Sequence, residues 1–289
     1  MKLSKFVPIY TERHLDKIRT KRQSVARIER MLKWWGDTDL KKFRRADVAR
    51  VHNKVGRKTP YEANRMLTQL HHMLTKAEIW GYVPEGTPNP AKGVERFKEK
   101  SRTRWLEPAE LRRFWEATGK IDQHMGALFR LLLLTGARKT EVLGAKWEQV
   151  KFDRQLLHLP ITKQGRVHEI PLSDTAIEIL NSLPRSTYNP HIFPGRGHDY
   201  RKNVKRFWKE VLELAEIDQL RIHDLRHTAG SMMASSGISL KIVGGVLGHS
   251  QSSTTERYAH LDNSALRGAI NQHSEMVARL IQAGDDPHS

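Results

Sequence analysis

The 289-residue chain contains no cysteine. That excludes disulfides, thiolate nucleophiles and cysteine-ligated zinc, and it fits a protein of the reducing cytoplasm. Long hydrophobic runs are also missing. The longest, "LLLL" at 131–134, follows Arg130 and is far short of the ~20 apolar residues that cross a bilayer. No signal peptide is legible, so no membrane partner is expected. There are no internal repeats and no low-complexity tracts. Acidic side chains are scarce beside basic ones: 32 Asp and Glu face 50 Lys and Arg, a net charge of +18, with a pI near 10.2.

The imbalance is uneven. Residues 1–104 carry 26 basic and 11 acidic side chains, whereas residues 105–289 carry 24 and 21. A first third at +15 favours a polyanion, bound through Lys and Arg contacts to phosphates with release of counterions. On charge alone a nucleic acid leads, with anionic membranes and ribosomal assemblies as rivals.

The length allows one or two domains. The first 80 residues read as helices. In "SVARIERMLKWWG", Val25, Ile28, Leu32 and Trp35 recur at helical spacing and Gly36 is a stop. A second helix opens at Thr59-Pro60, because proline's missing N–H has no helical partner in a first turn. Met66, Leu70, Met73, Leu74 and Ala77 form its apolar stripe, which ends at Gly81. Residues 82–104, rich in Pro and Gly and then basic, read as an interdomain linker, either a solvated tether or a segment that tracks a phosphate backbone. Helices then start near Glu107-Pro108 and run over about 121–135, stopping at Gly136. "TGARKTEVLGAKW" is a turn and a short helix, and "QLLHLPITKQGRVHEIPL" is a β-hairpin. The remainder is helical, with Ser239 as an N-cap and Ser253 and Glu256 at capping-box spacing.

The chemistry turns on "HDLRHTAG" at 223–230. His223 and His227 have the i, i+4 spacing that holds zinc in helical metalloproteases, and His249 could supply a third ligand. Those enzymes need a Glu directly after the first His, and here that residue is Asp224. Arg226, three residues after His223, suits phosphate instead: a guanidinium offers a planar fork of donors. A phosphorane gains charge on its non-bridging oxygens, so a second Arg is needed, and "TGARKTE" supplies Arg138 just past a glycine turn.

The chain carries "TGARKTEVL", "TKQGRVHEIPL", "HDLRHTAGSMMASSG" and "VLGHSQSSTTERYAHL" in that order. Together they resemble the successive catalytic boxes of the tyrosine recombinases, also called phage integrases, over roughly residues 105–265. The stretch "TPYEANRMLTQLHHMLTKAEIWGYVPEGTPNPAKGV" is similar to the family's core-binding domain. Carried onto this chain, the resemblance implies that Arg138 and Arg226 clamp the scissile phosphate and that His223 assists proton transfer at the nucleophile. His249 hydrogen-bonds the phosphate, and Lys163 protonates the leaving 5′-oxygen, although Lys139, Lys146 and Lys151 are nearby. Tyr258 attacks phosphorus to form a 3′-phosphotyrosyl bond, and Glu141 supports the site from behind Arg138. His227 is then structural. The physical logic agrees. A phenol with a pKa of ~10 needs a cationic pocket or a base to act as a nucleophile. An alkoxide leaving group needs a positioned acid. Neither a metal nor another cofactor is required.

The resemblance implies a mainly α fold with a small antiparallel β-sheet in the catalytic domain, forming a two-domain, C-shaped DNA clamp. The expected boundaries are 1–90 for a helical DNA-binding domain, 91–104 for a basic linker and 105–289 for the catalytic domain. The expected partners are double-stranded DNA at specific sites, a homotetramer on paired DNA, and accessory DNA-bending or excision factors, and the expected location is cytoplasmic and nucleoid-associated for a prokaryotic or phage-encoded protein. Leu266, Ile270, Met276, Leu280 and Ile281 mark a terminal helix that, by the same resemblance, docks on a neighbouring protomer. Many phage integrases carry a further N-terminal arm-site domain, whereas this sequence starts almost at the core-binding region. The "NPAKGVE" and "RTRWLEPAEL" passage is closer in style to a mobile-element integrase than to a chromosome- or plasmid-dimer resolvase. A catalytically silent DNA-binding regulator, a type IB topoisomerase and a zinc hydrolase are the rival readings.

Overall fold

The computed structural model describes residues 1–18, 21–99, 104–160, 167–248 and 254–255. The chain divides into two compact units, Met1–Arg102 and Thr103–Ser289.

The first unit is built from four helices: α1 (Leu3–Arg13), α2 (Lys21–Trp35), α3 (Arg45–Gly56) and α4 (Pro60–Ile79). Helix α4 starts at the proline that the sequence marks, and its expected stripe of Met66, Leu70, Met73, Leu74 and Ala77 is buried. In α2 the buried face is Ser24, Ile28, Met31 and Trp35, while Val25 and Leu32 sit at its margin. A helical stripe is more than 100° wide, so spacing alone does not say which edge is deepest. Polar groups enter this core in pairs: the Tyr10 hydroxyl is hydrogen-bonded to His72 Nδ1 at 2.6 Å and accepts from Gln69 Nε2 at 2.9 Å.

Within the stretch read as linker, residues 94–99 lie on the first unit. The buried amide of Asn64 accepts from Phe97 N–H at 3.1 Å, donates to the Phe97 carbonyl at 2.8 Å and donates to Glu99 at 3.0 Å. The Phe97 ring stacks on His52 with centroids 4.7 Å apart. It occupies the space beside Gly56, where an added Cβ would meet it at 1.9 Å. Arg65 pairs with Glu99 at 3.0 Å as well, so these residues are a strap whose main-chain groups at Phe97 are satisfied by Asn64 rather than by water.

The second unit begins with α5 (Pro108–Gly119) and α6 (Gln123–Thr135). Helix α6 is apolar nearly all round, with Leu128, Phe129, Leu131, Leu132 and Leu133 buried, and such a helix must be enclosed by others. Helices α5, α7 (Lys139–Leu143), α8 (Asp174–Asn181) and α10 (Asp224–Ser235) pack around it. Helix α9 (Lys205–Ala215) packs on α5 and sets Trp208 against Phe114 and Phe129, with ring centroids 5.9 and 5.0 Å apart. Helix α11 (Leu240–Leu247) lies on α10. Ser239 stands at its N-cap position without a side-chain capping bond.

The expected hairpin is part of a three-stranded antiparallel sheet of order β1 (Val150–Lys151), β2 (Leu156–Leu159), β3 (His168–Pro171). Strand β1 has two residues, too few for an alternation to be read from sequence. The register pairs Leu157 with Ile170 and Leu159 with His168. Directly opposed residues share a face, so His168 points inward with Leu157, Leu159 and Ile170. His158 and Glu169 pair on the outer face at 3.1 Å. The fold is thus mostly helical with a small antiparallel sheet, as expected. No helix among the described residues is long and apolar enough to cross a membrane.

Candidate functional site

The glycine turn after α6 organises the site. Gly136 ends that helix in the left-handed conformation, φ +62°, with its N–H on the Leu132 carbonyl at 3.0 Å. A Cβ there would meet Leu247 Cδ2 at 2.5 Å and Ala229 Cβ at 3.2 Å, so only glycine fits on both conformational and steric grounds. The turn therefore packs between α10 and α11. Two residues on, Arg138 stands at the N-cap of α7.

Each candidate arginine is held by a helix-terminal glycine carbonyl. Arg226, on α10 and only 5% exposed, donates from Nη1 to the Gly136 carbonyl at 2.9 Å. Arg138 donates from Nη2 to the carbonyl of Gly248 at 3.1 Å. Gly248 ends α11 at φ +62°, as Gly136 ends α6. Carbonyls at a helix C-terminus lack intrahelical partners and carry the negative end of the macrodipole, which suits them to hold a guanidinium.

Glu141 completes the anchoring of Arg138. Its side chain is 8% exposed. It accepts from Arg138 Nη1 at 2.9 Å and from the Arg138 backbone N–H at 3.1 Å. A buried carboxylate paired this way fixes both the helix start and the arginine rotamer.

His223 precedes the first turn of α10 and is exposed. Its ring meets that of His227 edge to face, with centroids 5.0 Å apart and an 82° interplanar angle. The neighbouring Asp224 is buried and accepts from the backbone N–H of Arg221 at 2.8 Å, so this carboxylate closes the turn that leads into α10. Among the described residues no group of three or more His, Asp or Glu is arranged to hold a metal. Lys163, His249 and Tyr258 lie outside the described residues, as do the Ser253–Glu256 capping pair and the apolar set at 266–281.

One residue passed over in the sequence stands in this cluster. His168 has a side chain 13% exposed, with Nδ1 3.8 Å from Glu141 Oε2. Its Nε2 lies where a Cβ on Gly248 would come within 2.6 Å. Burial lowers its pKa; the Glu141 carboxylate opposes that shift, and the Arg138 and Arg226 cations reinforce it. Burial and the two guanidinium groups thus favour the uncharged imidazole. The sequence offered only a histidine in the strand "HEIP", and its inward position is set by pairing with β2.

The described part of the site thus joins two anchored cations, a buried carboxylate and a neutral imidazole, an arrangement suited to an oxyanion such as phosphate. Residues 104–265 match the phage integrase family. The chain is 28% identical over 228 residues to the shufflon-specific DNA recombinase of Escherichia coli, covering 77% of this chain and 57% of that protein. It is 25% identical over 179 residues to the integrase of Salmonella phage P22, covering 55% of this chain and 44% of that one. The chain therefore spans about half the length of these curated relatives. Its fold is similar to that of a lambda integrase in a tetramer bound to a Holliday junction. That likeness has a TM-score of 0.74 at 17% identity and covers 89% of this chain and 77% of that one. With more than half of its length matched by the family, the chain belongs to the phage integrases, the tyrosine recombinases.

Proposed function

We propose that the protein is a site-specific DNA recombinase that cuts and rejoins strands through a covalent 3′-phosphotyrosine, passes through a Holliday junction, and serves a phage or other mobile element. The observation that carries this reading is the pair of arginines, Arg138 and Arg226, each tied to a glycine carbonyl at a helix end. Two fixed cations favour the extra negative charge of a phosphorane over the ground-state diester. Because both are anchored before DNA arrives, little reorganisation is needed at the moment of reaction.

In this reading the Tyr258 phenol attacks phosphorus and its proton passes toward His223. Lys163 protonates the departing 5′-oxygen, and His249 hydrogen-bonds a non-bridging oxygen. One phosphodiester is exchanged for one phosphotyrosyl ester, so no external energy source is needed. A 5′-hydroxyl from the partner strand then reverses the step and frees the tyrosine. Double-stranded DNA is the substrate, supported by the +15 charge of residues 1–104. A homotetramer is the working assembly, supported by the likeness to the lambda integrase tetramer.

The test is a covalent trap. Nicked duplexes built from DNA flanking the gene are incubated with wild-type and Tyr258→Phe protein and run on a denaturing gel. The expected result is a protease-sensitive, shifted band that disappears in the variant. Specific binding with no adduct at any nick position favours a silent regulator. Relaxation of a plasmid that lacks the target favours a type IB topoisomerase.

A further inference from the structure

His168 is a buried group that the proposed chemistry leaves without a role. Both of its ring nitrogens are buried, and neither has a hydrogen-bond partner among the described residues. An imidazole in that state is costly, so its surroundings have to account for it. It projects inward from β3, five residues after Lys163 in the sequence. On one side is the Gly248 turn, close enough that a Cβ would lie 2.6 Å from Nε2 and 2.7 Å from Cε1. On another is the Glu141 carboxylate at 3.8 Å. Those same two groups hold Arg138, through the Gly248 carbonyl at 3.1 Å and Glu141 Oε1 at 2.9 Å. The ring therefore fills the space between the sheet and the two anchors of Arg138.

We propose that His168 is a positioning residue, a neutral stop against which the Gly248 turn and the Glu141 carboxylate are set. Through it, strand β3 is registered against the Gly248 turn and the Glu141 carboxylate, the two groups that hold Arg138. This role rests on the reading of the site as a phosphoryl-transfer centre. A smaller side chain leaves a void into which the turn and the carboxylate can move, and both anchors of Arg138 shift with them. A permanent cation would be a third positive charge beside Arg138 and Arg226. Glutamine is neutral, polar and of similar reach, so it preserves the stop.

Two measurements on the full chain test the role. First, the protein is prepared with isotope-labelled histidine, the His168 resonance is assigned with His168→Gln, and its titration is followed by NMR. The expected midpoint lies below the ordinary imidazole value and falls further in Glu141→Gln, which removes the charge that favours the cation. A midpoint in the ordinary range that ignores Glu141→Gln overturns the placement. Second, the rate of Tyr258 adduct formation is measured on the nicked duplex that traps the wild type. His168→Ala is expected to slow it by about 100-fold, the scale of a misplaced reacting group, with duplex affinity nearly unchanged and most of the rate restored in His168→Gln. Equal rates for His168→Ala and wild type overturn the proposal. If wild-type protein gives no Tyr258-dependent adduct, the recombinase reading fails instead, and the NMR midpoint still decides whether His168 sits against Glu141.

Discussion

Tyr10 and His72 illustrate how one buried polar contact ties folding to pH. Tyr10 is 1% exposed, and burial pushes its hydroxyl up to about 12, partly offset by the hydrogen bond from Gln69. The hydroxyl is hydrogen-bonded to His72 Nδ1 at 2.6 Å, and in the protonated imidazole both ring nitrogens can only donate. Burial lowers the His72 pKa, and His14, Lys76 and His71 lower it further. The His14 ring lies 4.5 Å from that of His72, and its pKa is lowered by burial and by Lys76 and Lys17. A histidine with a depressed folded pKa contributes stability that is present above its unfolded value, about 6.5, and is lost as pH falls through the folded value. The thermal midpoint of the first unit's transition is therefore expected to fall on acidification below about 6.5. His72→Gln, which keeps a hydrogen-bonding group but does not titrate, should flatten that dependence. A profile as steep as wild type would count against His72 as its source.

Among the elements, the end of α6 carries the heaviest demand. The Gly136 turn must adopt φ +62°, lie against Leu247 and Ala229, and present its carbonyl to Arg226. Gly136→Ala places a side chain in the left-handed region, at about 1–3 kcal/mol, and drives Cβ into α11. The expected outcome is a lowered denaturant midpoint with an unchanged slope, together with a loss of adduct formation larger than the loss of DNA binding, because α10 and α11 both move. Wild-type stability would show that Leu247 yields to the methyl group. The same elements show how far local signals reach. Pro60 and Gly136 each mark a helix end in the sequence because a missing N–H and a positive φ are local constraints, and the structure has those ends there. The inward face of β3 is decided by pairing with β2, and nothing within "HEIP" distinguishes a buried His168 from an exposed one.

For the molecule as a whole, charge is the property most directly measured. With 26 basic and 11 acidic side chains in residues 1–104, binding to any duplex should be dominated by phosphate contacts. The logarithm of affinity then falls linearly with the logarithm of salt, with a slope of about −0.9 per phosphate neutralised. If six or more phosphates are covered, affinity for a random-sequence duplex should drop by about 10³-fold between roughly 50 and 200 mM salt. A nearly flat dependence would mean that the basic residues serve another partner. Fluorescence anisotropy across a salt series reads the slope directly.

The sequence by itself determined the class of the fold and the order of the candidate residues along the chain. Helical periodicity, proline and glycine punctuation and the hairpin were all legible, because each depends on interactions within a few residues. The order of Arg138, Glu141, His223 and Arg226 was legible too, since residue types and spacing are read directly from the chain. Tertiary structure decided how the arginines are held. Gly136 and Arg226 are 90 positions apart and Arg138 and Gly248 are 110 apart, and no local rule pairs a carbonyl with a guanidinium over such distances. It also decided that residues 94–99 are strapped to the first unit by Asn64, and that His168 is enclosed beside Glu141 and Gly248. Burial and long-range hydrogen bonding depend on which surfaces meet, and that is settled only when the helices and the sheet have packed.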